Sequence, residues 1–186
     1  MSSHHIVKEK QEPALYIDEL GHFNEENLGQ LLEWSPTLLV NYSNYDKILS
    51  LGLKVDVVVN PPEIDTQENT KIIQGPVDAL MVAVNHLVEE RYPAVNVITD
   101  KFDLERFAGF NNNINLVVFT ATEKFYTIKS GFSVWKPAGS LFNIHGNAYI
   151  EVSNLLQNET GLFTVVKDGF IDFSFSGEPI FISEQI

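Results

Sequence analysis

Polar side chains that could bind a ligand follow two apolar segments, each of which has the length of a buried strand. Tyr42, Ser43 and Asn44 come after the first segment, and Asn60 comes after the second. In a parallel sheet the carboxyl ends of the strands share one edge, and ligands bind there. These side chains could hold a ligand without a metal. The alternative is a local role, because Ser and Asn also form turns and caps by bonding nearby backbone groups.

Acidic and aromatic residues supply three further candidates. Asp100, Asp103 and Glu105 cluster after a predicted strand, at the end where binding sites gather in parallel sheets, although a solvated loop has the same composition. Trp135, in the phrase WKPAG, could form an exposed ledge for a flat ring. The alternative is a turn whose Trp packs on the β-rich half of the chain. His145 precedes a glycine, which predicts a turn.

Several kinds of chemistry are excluded by what the sequence lacks. The chain has no cysteine, which excludes disulfides, thiolate zinc sites and cysteine nucleophiles. It also has no GxGxxG, Walker A or HExxH motif, and no GxSxG motif.

The charge of the chain argues against nucleic acid as a partner. The sequence has 12 Lys and Arg against 25 Asp and Glu, for a net charge of −13. Binding to phosphates needs a basic stripe, and the positive charges here are scattered. No apolar run approaches the roughly 18 residues of a membrane helix, and the N-terminus lacks the apolar core of a signal peptide. We therefore expect a cytoplasmic protein with no membrane partner.

The elements that must position the candidate residues change in type near residue 120. Before it, strand-like segments are predicted at 15–17, 38–40, 55–59, 71–73, 95–98 and 115–119. Helices are predicted at 25–33, with Asn24 as the N-cap, at 45–51 and at 78–90. This alternation predicts a parallel, Rossmann-like α/β domain with helices on both faces.

The second half reads as strands separated by glycines. Short β-like runs are predicted at 125–128, 141–144, 149–152, 162–166, 170–175 and 180–183. Lys167-Asp168-Gly169 is a typical hairpin turn. The fold class is therefore expected to be α/β, with the parallel domain followed by a small antiparallel β-sandwich or barrel domain.

The phrase Leu51-Gly52-Leu53-Lys54-Val55-Asp56, which leads into an apolar strand, resembles a phrase typical of the thiamine pyrophosphokinase family. The strand at 71–73 and the helix from Asp78 follow at the expected distance. The segments 125–131 and 136–142 resemble the opening strands of that family's thiamine-binding domain. The resemblance covers roughly residues 37–150.

This resemblance implies a two-domain enzyme fold. Family members transfer a pyrophosphoryl group from ATP to thiamine with magnesium, and their subunits pair with thiamine sites at the dimer interface. The resemblance implies a catalytic α/β domain at 1–121, a thiamine-binding-like β domain at 122–186, and a homodimer with a small-molecule ligand. It implies nucleotide-binding positions at Tyr42, Ser43, Asn44, Asn60 and Asp100, and thiamine-binding positions at Trp135, Ser153 and Asn154.

The acidic motifs of the family are changed in this chain. Two of the family's aspartates fall on Tyr42 and Pro61, which leaves Glu63 and Asp78 as the candidate catalytic and magnesium-binding carboxylates. Magnesium prefers oxygen ligands in octahedral geometry, and two carboxylates make a sparse site. The sequence therefore predicts a catalytically lapsed relative that binds thiamine or a nucleotide, or serves as a partner protein. The alternatives are an active thiamine pyrophosphokinase and unrelated chemistry at the polar strand ends.

Overall fold

A computed structural model of the chain describes residues 12–110, 113–146 and 149–186. The N-terminal half alternates strands and helices: β1 (Ala14–Ile17), α1 (Glu25–Leu32), β2 (Leu38–Asn41), α2 (Tyr45–Ser50), β3 (Val57–Val59), β4 (Lys71–Ile73), α3 (Ala79–Glu89), β5 (Ala94–Ile98), α4 (Leu104–Ala108) and β6 (Asn115–Phe119). The C-terminal half continues with β7 (Glu123–Ile128), β8 (Phe132–Lys136), β9 (Leu141–His145), β10 (Ile150–Val152), β11 (Leu155–Gln157), β12 (Phe163–Val165), β13 (Gly169–Phe175) and β14 (Ile180–Gln185).

Two sheets organise the described residues. The larger has the strand order β11-β12-β9-β14-β7-β6-β5-β1-β2-β3-β4, and the smaller has the order β10-β13-β8. The strands from β6 to β4 pair in parallel, and the strands from β6 to β11 pair antiparallel. The predicted fold class, a parallel α/β unit followed by an antiparallel β-sandwich, is confirmed.

Helices cover both faces of the central parallel strands, which is why β1 and β3 are apolar and fully buried. On one face, Leu80, Val84 and Leu87 of α3 pack with Phe107 of α4. On the other face, Leu28 of α1 packs in one core with two residues of α2. Burial on both faces removes the alternation of polar and apolar residues that a half-exposed strand would show.

Local sequence signals account for several helix boundaries. The Asn24 side chain accepts hydrogen bonds from the backbone N–H groups of Glu26 (2.7 Å) and Asn27 (3.3 Å), as predicted for an N-cap. Gly52 has a φ of +75° just after α2, a conformation that glycine adopts without the steric cost of a side chain.

The smaller sheet packs on the antiparallel part of the larger one. Their shared core contains Ile171 and Phe173 of β13, and Phe142 and Ile182 of the larger sheet. The expected domain boundary at 121/122 falls in the short connection between β6 and β7, which pair with each other. The large sheet therefore continues across that connection, and the division into two domains stays a prediction.

Three short elements were not predicted from the sequence. Helix α4 has five residues, and the acidic cluster in which it begins is also typical of a solvated loop. In strand β8, Trp135 lies on the outward face and is 54% exposed. A large apolar residue therefore occupies a position where a half-exposed strand usually has a polar one. Strand β11 has three residues, only one of which is even half-buried.

The predicted hairpin at Lys167-Asp168-Gly169 is wrong. The strand before it, β12, pairs with β9 and β11 in the large sheet. The strand after it, β13, pairs with β8 and β10 in the small sheet. A turn sequence determines a local chain reversal but not the strand with which each arm pairs.

Two other predicted turns are strands. Trp135 lies in β8 rather than in a turn, opposite Phe170 of β13, which is 64% exposed. His145 is the last residue of β9 and pairs with Phe181. Among the helices of the described residues, none has the length and apolar character needed to cross a bilayer.

Candidate functional site

The carboxyl ends of the parallel strands meet at one edge of the large sheet. Strands β2 to β4 add on one side of β1, and β5 and β6 add on the other, so the order of strand addition reverses between β1 and β5. Ligand sites in open α/β sheets form at such a reversal. Asp18 directly follows β1 at this point, and Asp100 comes two residues after β5.

Asp18 is the buried centre of this edge, with an exposed fraction of 1%. Its Oδ1 atom accepts hydrogen bonds from the Tyr16 hydroxyl at 3.0 Å and from Asn41 Nδ2 at 3.3 Å. Its Oδ2 atom accepts from Nη1 of Arg106 at 2.5 Å. Burial raises the pKa of Tyr16 above its ordinary value, and the adjacent Asp18 carboxylate raises it further. The Tyr16 hydroxyl therefore keeps its proton and stays a donor.

Arg106 joins Asp18 to a second carboxylate, that of Asp78. Its Nη2 atom lies 3.0 Å and 2.9 Å from the two oxygens of Asp78, and its Nε atom donates to Asp78 Oδ2 at 3.1 Å. Burial alone would lower the pKa of Arg106, but its hydrogen bonds to Asp18 and Asp78 raise it above the ordinary value. The guanidinium therefore keeps its charge, and each of its three nitrogens donates a hydrogen bond to a carboxylate oxygen.

The short helix α4 places Arg106 at the sheet edge. Asp103 caps this helix by accepting a hydrogen bond from Glu105 N at 3.0 Å. The neighbouring Phe107 is fully buried in the core under α3. Because Phe107 anchors one side of α4, Arg106 extends from the same turn toward Asp18. The predicted acidic cluster therefore contributes a helix cap, and the side chain that this helix directs toward the strand reversal is that of Arg106.

The predicted polar residues at the end of β2 lie together in one short turn. Tyr42, Ser43 and Asn44 form a 3₁₀ turn. Asn41 caps this turn by accepting from Ser43 N at 3.3 Å. The Asn44 side chain donates to the Asp18 carbonyl at 2.7 Å and accepts from Leu20 N at 3.1 Å.

Asn60 lies farther along the same edge, beside a cavity of about 540 Å³ that Pro61, Gln74 and Gly75 also line. Its backbone has a φ of +51°, which Asn tolerates better than most residues. Its Oδ1 atom accepts from Gly75 N at 2.9 Å, so the side chain connects the loops after β3 and β4.

The two predicted magnesium ligands differ in their surroundings. Glu63 is exposed in the loop between β3 and β4, whereas both oxygens of Asp78 accept from Arg106. Among residues 12–110, 113–146 and 149–186, no three acidic or histidine side chains come together as metal ligands. Asp18 and Asp78 have protein donors on every carboxylate oxygen, so neither carboxylate has an oxygen without a protein partner to offer a magnesium ion.

Asp100 lies on the other side of the strand reversal, against the backbone of Gly21. A Cβ atom at Gly21 would lie 2.1 Å from Asp100 Oδ1, and Gly21 has a φ of +46°. Asp100 also lines a cavity of about 470 Å³ at the ends of β5 and β6, together with Phe102, Glu123 and His145. This cavity and the one beside Asn60 are each lined by a predicted nucleotide-binding residue.

Three polar side chains, those of His145, Ser183 and Glu123, form a hydrogen-bonded group that the sequence did not indicate, and His145 and Glu123 line this cavity. The fully buried Ser183 donates from Oγ to Glu123 Oε1 at 2.9 Å, and its Oγ lies 2.9 Å from His145 Nε2. Because a hydroxyl has one hydrogen to donate, His145 Nε2 must donate to Ser183. Burial lowers the pKa of His145, against an opposing effect of Glu123, so the imidazole favours its neutral form.

The predicted thiamine-binding residues lie on the small sheet or beside it. Ser153 Oγ and Ser133 Oγ donate to Asp172 at 3.0 Å and 2.6 Å, and these hydrogen bonds lower the pKa of Asp172. Asn154 bonds both backbone polar groups of Lys167, through Oδ1 at 3.1 Å and Nδ2 at 2.7 Å. Asn154 therefore holds two loops together, while Trp135 stays exposed.

No protein family model matches this sequence, and no curated protein matches it. Solved structures do match its fold. Thiamine pyrophosphokinase from Bacillus subtilis superposes with a TM-score of 0.71 at 8% identity, covering 94% of this chain and 99% of that one. The yeast enzyme superposes with a TM-score of 0.68 at 11% identity, covering 98% of this chain and 88% of that one. The Candida albicans enzyme superposes with a TM-score of 0.67 at 9% identity, covering 94% of this chain and 89% of that one. The predicted resemblance is confirmed at the level of the fold.

Proposed function

We propose that this chain, whose fold is that of the thiamine pyrophosphokinases, has lost pyrophosphoryl transfer and binds a small molecule, either thiamine or an adenine nucleotide. The observation that carries the proposal is the position of Arg106, between Asp18 and Asp78. Transfer of phosphoryl groups relies on a cation that neutralises the charge developing on the transferred group. Here the two carboxylates at the strand reversal already bind a guanidinium.

The positions of the lost acids support the same proposal. Tyr42 belongs to a 3₁₀ turn, and Pro61 has no N–H with which to contact a phosphate. Of the two predicted ligands, Glu63 is exposed in the loop between β3 and β4, whereas Asp78 is paired with Arg106. Magnesium belongs only to the alternative, in which the chain is active and Glu63 and Asp78 hold the ion.

The outer face of the small sheet suits a flat cationic ring such as those of thiamine. Trp135 and Phe170 are direct neighbours across β8 and β13, and both are more than half exposed. Asp172 follows on the same face of β13, and its serine hydrogen bonds favour the anionic form. Aromatic faces and a carboxylate together attract an organic cation. A nucleotide would instead use the cavity beside Asp100.

We include in the proposal a homodimer that acts in the cytoplasm. Exposed apolar side chains on a folded chain indicate contact surfaces when they cluster. Trp135 and Phe170 are neighbours and are 54% and 64% exposed, and Leu156, 68% exposed, lies separately in β11, one of the two edge strands of the large sheet. Sedimentation at micromolar concentration tests this part, and a monomer would contradict it.

Thermal unfolding with ligands tests the binding part of the proposal. The panel is thiamine, its phosphates, ATP and AMP, each with and without magnesium. A ligand at 100 times its Kd stabilises the folded state by about 2.7 kcal/mol, which raises the Tm by about 5–10 °C for a chain of this size. Trp135→Ala should abolish the shift with thiamine, while the matched control Trp34→Ala, also an exposed tryptophan, should keep it.

An assay of AMP release from ATP and thiamine tests the loss of activity. The proposal expects no turnover with magnesium present. Turnover that Glu63→Ala abolishes and Glu68→Ala preserves would refute it and establish the active enzyme, since both residues are exposed in the same loop.

A further inference from the structure

A separate cavity of about 470 Å³ lies away from the strand reversal, between the two sheets. Its floor is formed by β6, β7 and β14 of the large sheet, and β8 of the small sheet forms one wall. This volume is in the range that small organic ligands occupy. None of the residues predicted to bind nucleotide, thiamine or magnesium lines it.

The charge of this cavity is opposite to that of the protein. Lys124, Lys129 and Lys136 line it, together with a single acidic residue, Glu184. The whole chain carries a net charge of −13 with 12 Lys and Arg in total. A quarter of all its cationic side chains therefore lie around one cavity, where they leave an excess of positive charge.

Glu184 holds two of these lysines in place. Lys124 Nζ lies 2.8 Å from one carboxylate oxygen, and Lys136 Nζ donates to the other. Burial would raise the pKa of Glu184, but the two lysines outweigh burial and lower it, so the carboxylate stays charged. Each ammonium has three hydrogens and uses one on Glu184, which leaves donors available to a second anion.

Aromatic and aliphatic groups surround the same lysines. Lys124 Nζ lies 5.5 Å from the centre of the Tyr126 ring, and the ring of Phe132 packs edge-on against Tyr126 at 6.2 Å. Leu116, Val117 and Val134 complete the apolar lining. Ammonium groups beside apolar walls are less hydrated than surface lysines, so they interact more strongly with an anion.

We propose that this cavity binds an amphipathic organic anion, with its acidic group at the lysines and an aromatic or aliphatic body against β6 and β8. The excess of lysines over the single carboxylate selects for negative charge, and the apolar walls select against a bare inorganic ion. Lys129, exposed in the connection between β7 and β8, is the cation at the rim. The inference does not depend on the proposed function.

Fluorescence titration with 8-anilinonaphthalene-1-sulfonate tests the proposal on the full chain. One molecule should bind per chain, and binding should weaken as salt is added, because salt screens the lysines. Lys129→Gln should weaken binding about fivefold, which corresponds to about 1 kcal/mol, the upper end for an exposed ion pair. The matched control Lys167→Gln, on the exposed loop before β13, should leave the affinity unchanged.

Two comparison probes test the chemical class. The neutral analogue N-phenyl-1-naphthylamine has the same apolar body without the sulfonate and should bind at least tenfold more weakly. Inorganic phosphate should not displace the sulfonate probe at millimolar concentration. Absent binding, equal binding of the neutral analogue, or equal loss in Lys129→Gln and Lys167→Gln would each overturn the proposal. Circular dichroism of both variants confirms that they are folded.

Discussion

Replacing Arg106 with Met removes the only positive charge that contacts Asp18 among the described residues. The Asp18 side chain is 2% exposed and that of Arg106 is 29% exposed. Removing one partner of a buried ion pair leaves the other charge uncompensated, at a cost of about 3–5 kcal/mol. Because water reaches part of the Arg106 site, we expect the lower end, about 3 kcal/mol. For a chain of this length, that loss lowers the Tm by about 6–12 °C.

Two further variants separate the contribution of Asp18 from that of Asp78. Asp78 is 45% exposed, so Asp78→Asn should cost less than about 1 kcal/mol, as for a surface ion pair. The double variant Asp18→Asn with Arg106→Met should recover part of the loss, because no unpaired charge remains in the core. Arg106→Lys should fall between wild type and Arg106→Met, since a lysine keeps the charge but lacks the planar fork that reaches both carboxylates.

Denaturant unfolding followed by circular dichroism measures these differences as changes in midpoint at constant m-value. If Arg106→Met and Asp78→Asn destabilise the protein equally, by less than about 1 kcal/mol, then Arg106 does not stabilise the buried charge of Asp18. That result would refute the argument that the guanidinium is the counter-charge of the strand reversal.

Four other substitutions test the surrounding structure. Burial lowers the pKa of His145 below 6.5, so the unfolded chain binds more protons and stability should fall as the pH drops below about 6.5. His145→Gln should remove this slope from pH-dependent unfolding curves. Gly21→Ala should cost about 2 kcal/mol because of the left-handed backbone, and the added Cβ would also contact Asp100. Gly29→Ala, with open space around it in α1, should instead stabilise by about 0.5–1 kcal/mol in the same unfolding assay. Glu184→Gln should cost about 3 kcal/mol by leaving two half-buried lysines unpaired. In wild type, the contribution of Glu184 should disappear as the pH falls below 4.5, since its pKa is lowered in the folded state.

The parallel half of the fold could be predicted because its signals are local. Asn24 caps α1 as expected, and the apolar segment before Asn60 forms β3. Capping residues and apolar periodicity act within a few positions of the chain, so a single sequence contains them. The same reasoning places Asn60 and Asp100 at the carboxyl edge of the sheet, where the structure also has them.

Contacts between distant segments could not be predicted in this way. Arg106 pairs with Asp18 across 88 positions, and nothing in the sequence near either residue indicates the other. Asp18 did carry a usable signal, since a polar residue directly after a buried strand is typical of a binding edge. Ser183 lies between Glu123 and His145 only because β14 pairs with both β7 and β9.

The sequence by itself determined the strands and helices apart from short elements such as α4, β8 and β11, that the first half forms a parallel sheet, and which polar residues end its strands. These properties depend on side-chain size, branching and capping over short distances. Only the tertiary structure decided that β12 and β13 join different sheets, that Arg106 neutralises Asp18, and that three lysines surround one cavity. Strand partners and charge partners result from the packing of the whole chain, because burying a charge or an apolar face requires a complement that can lie anywhere along it.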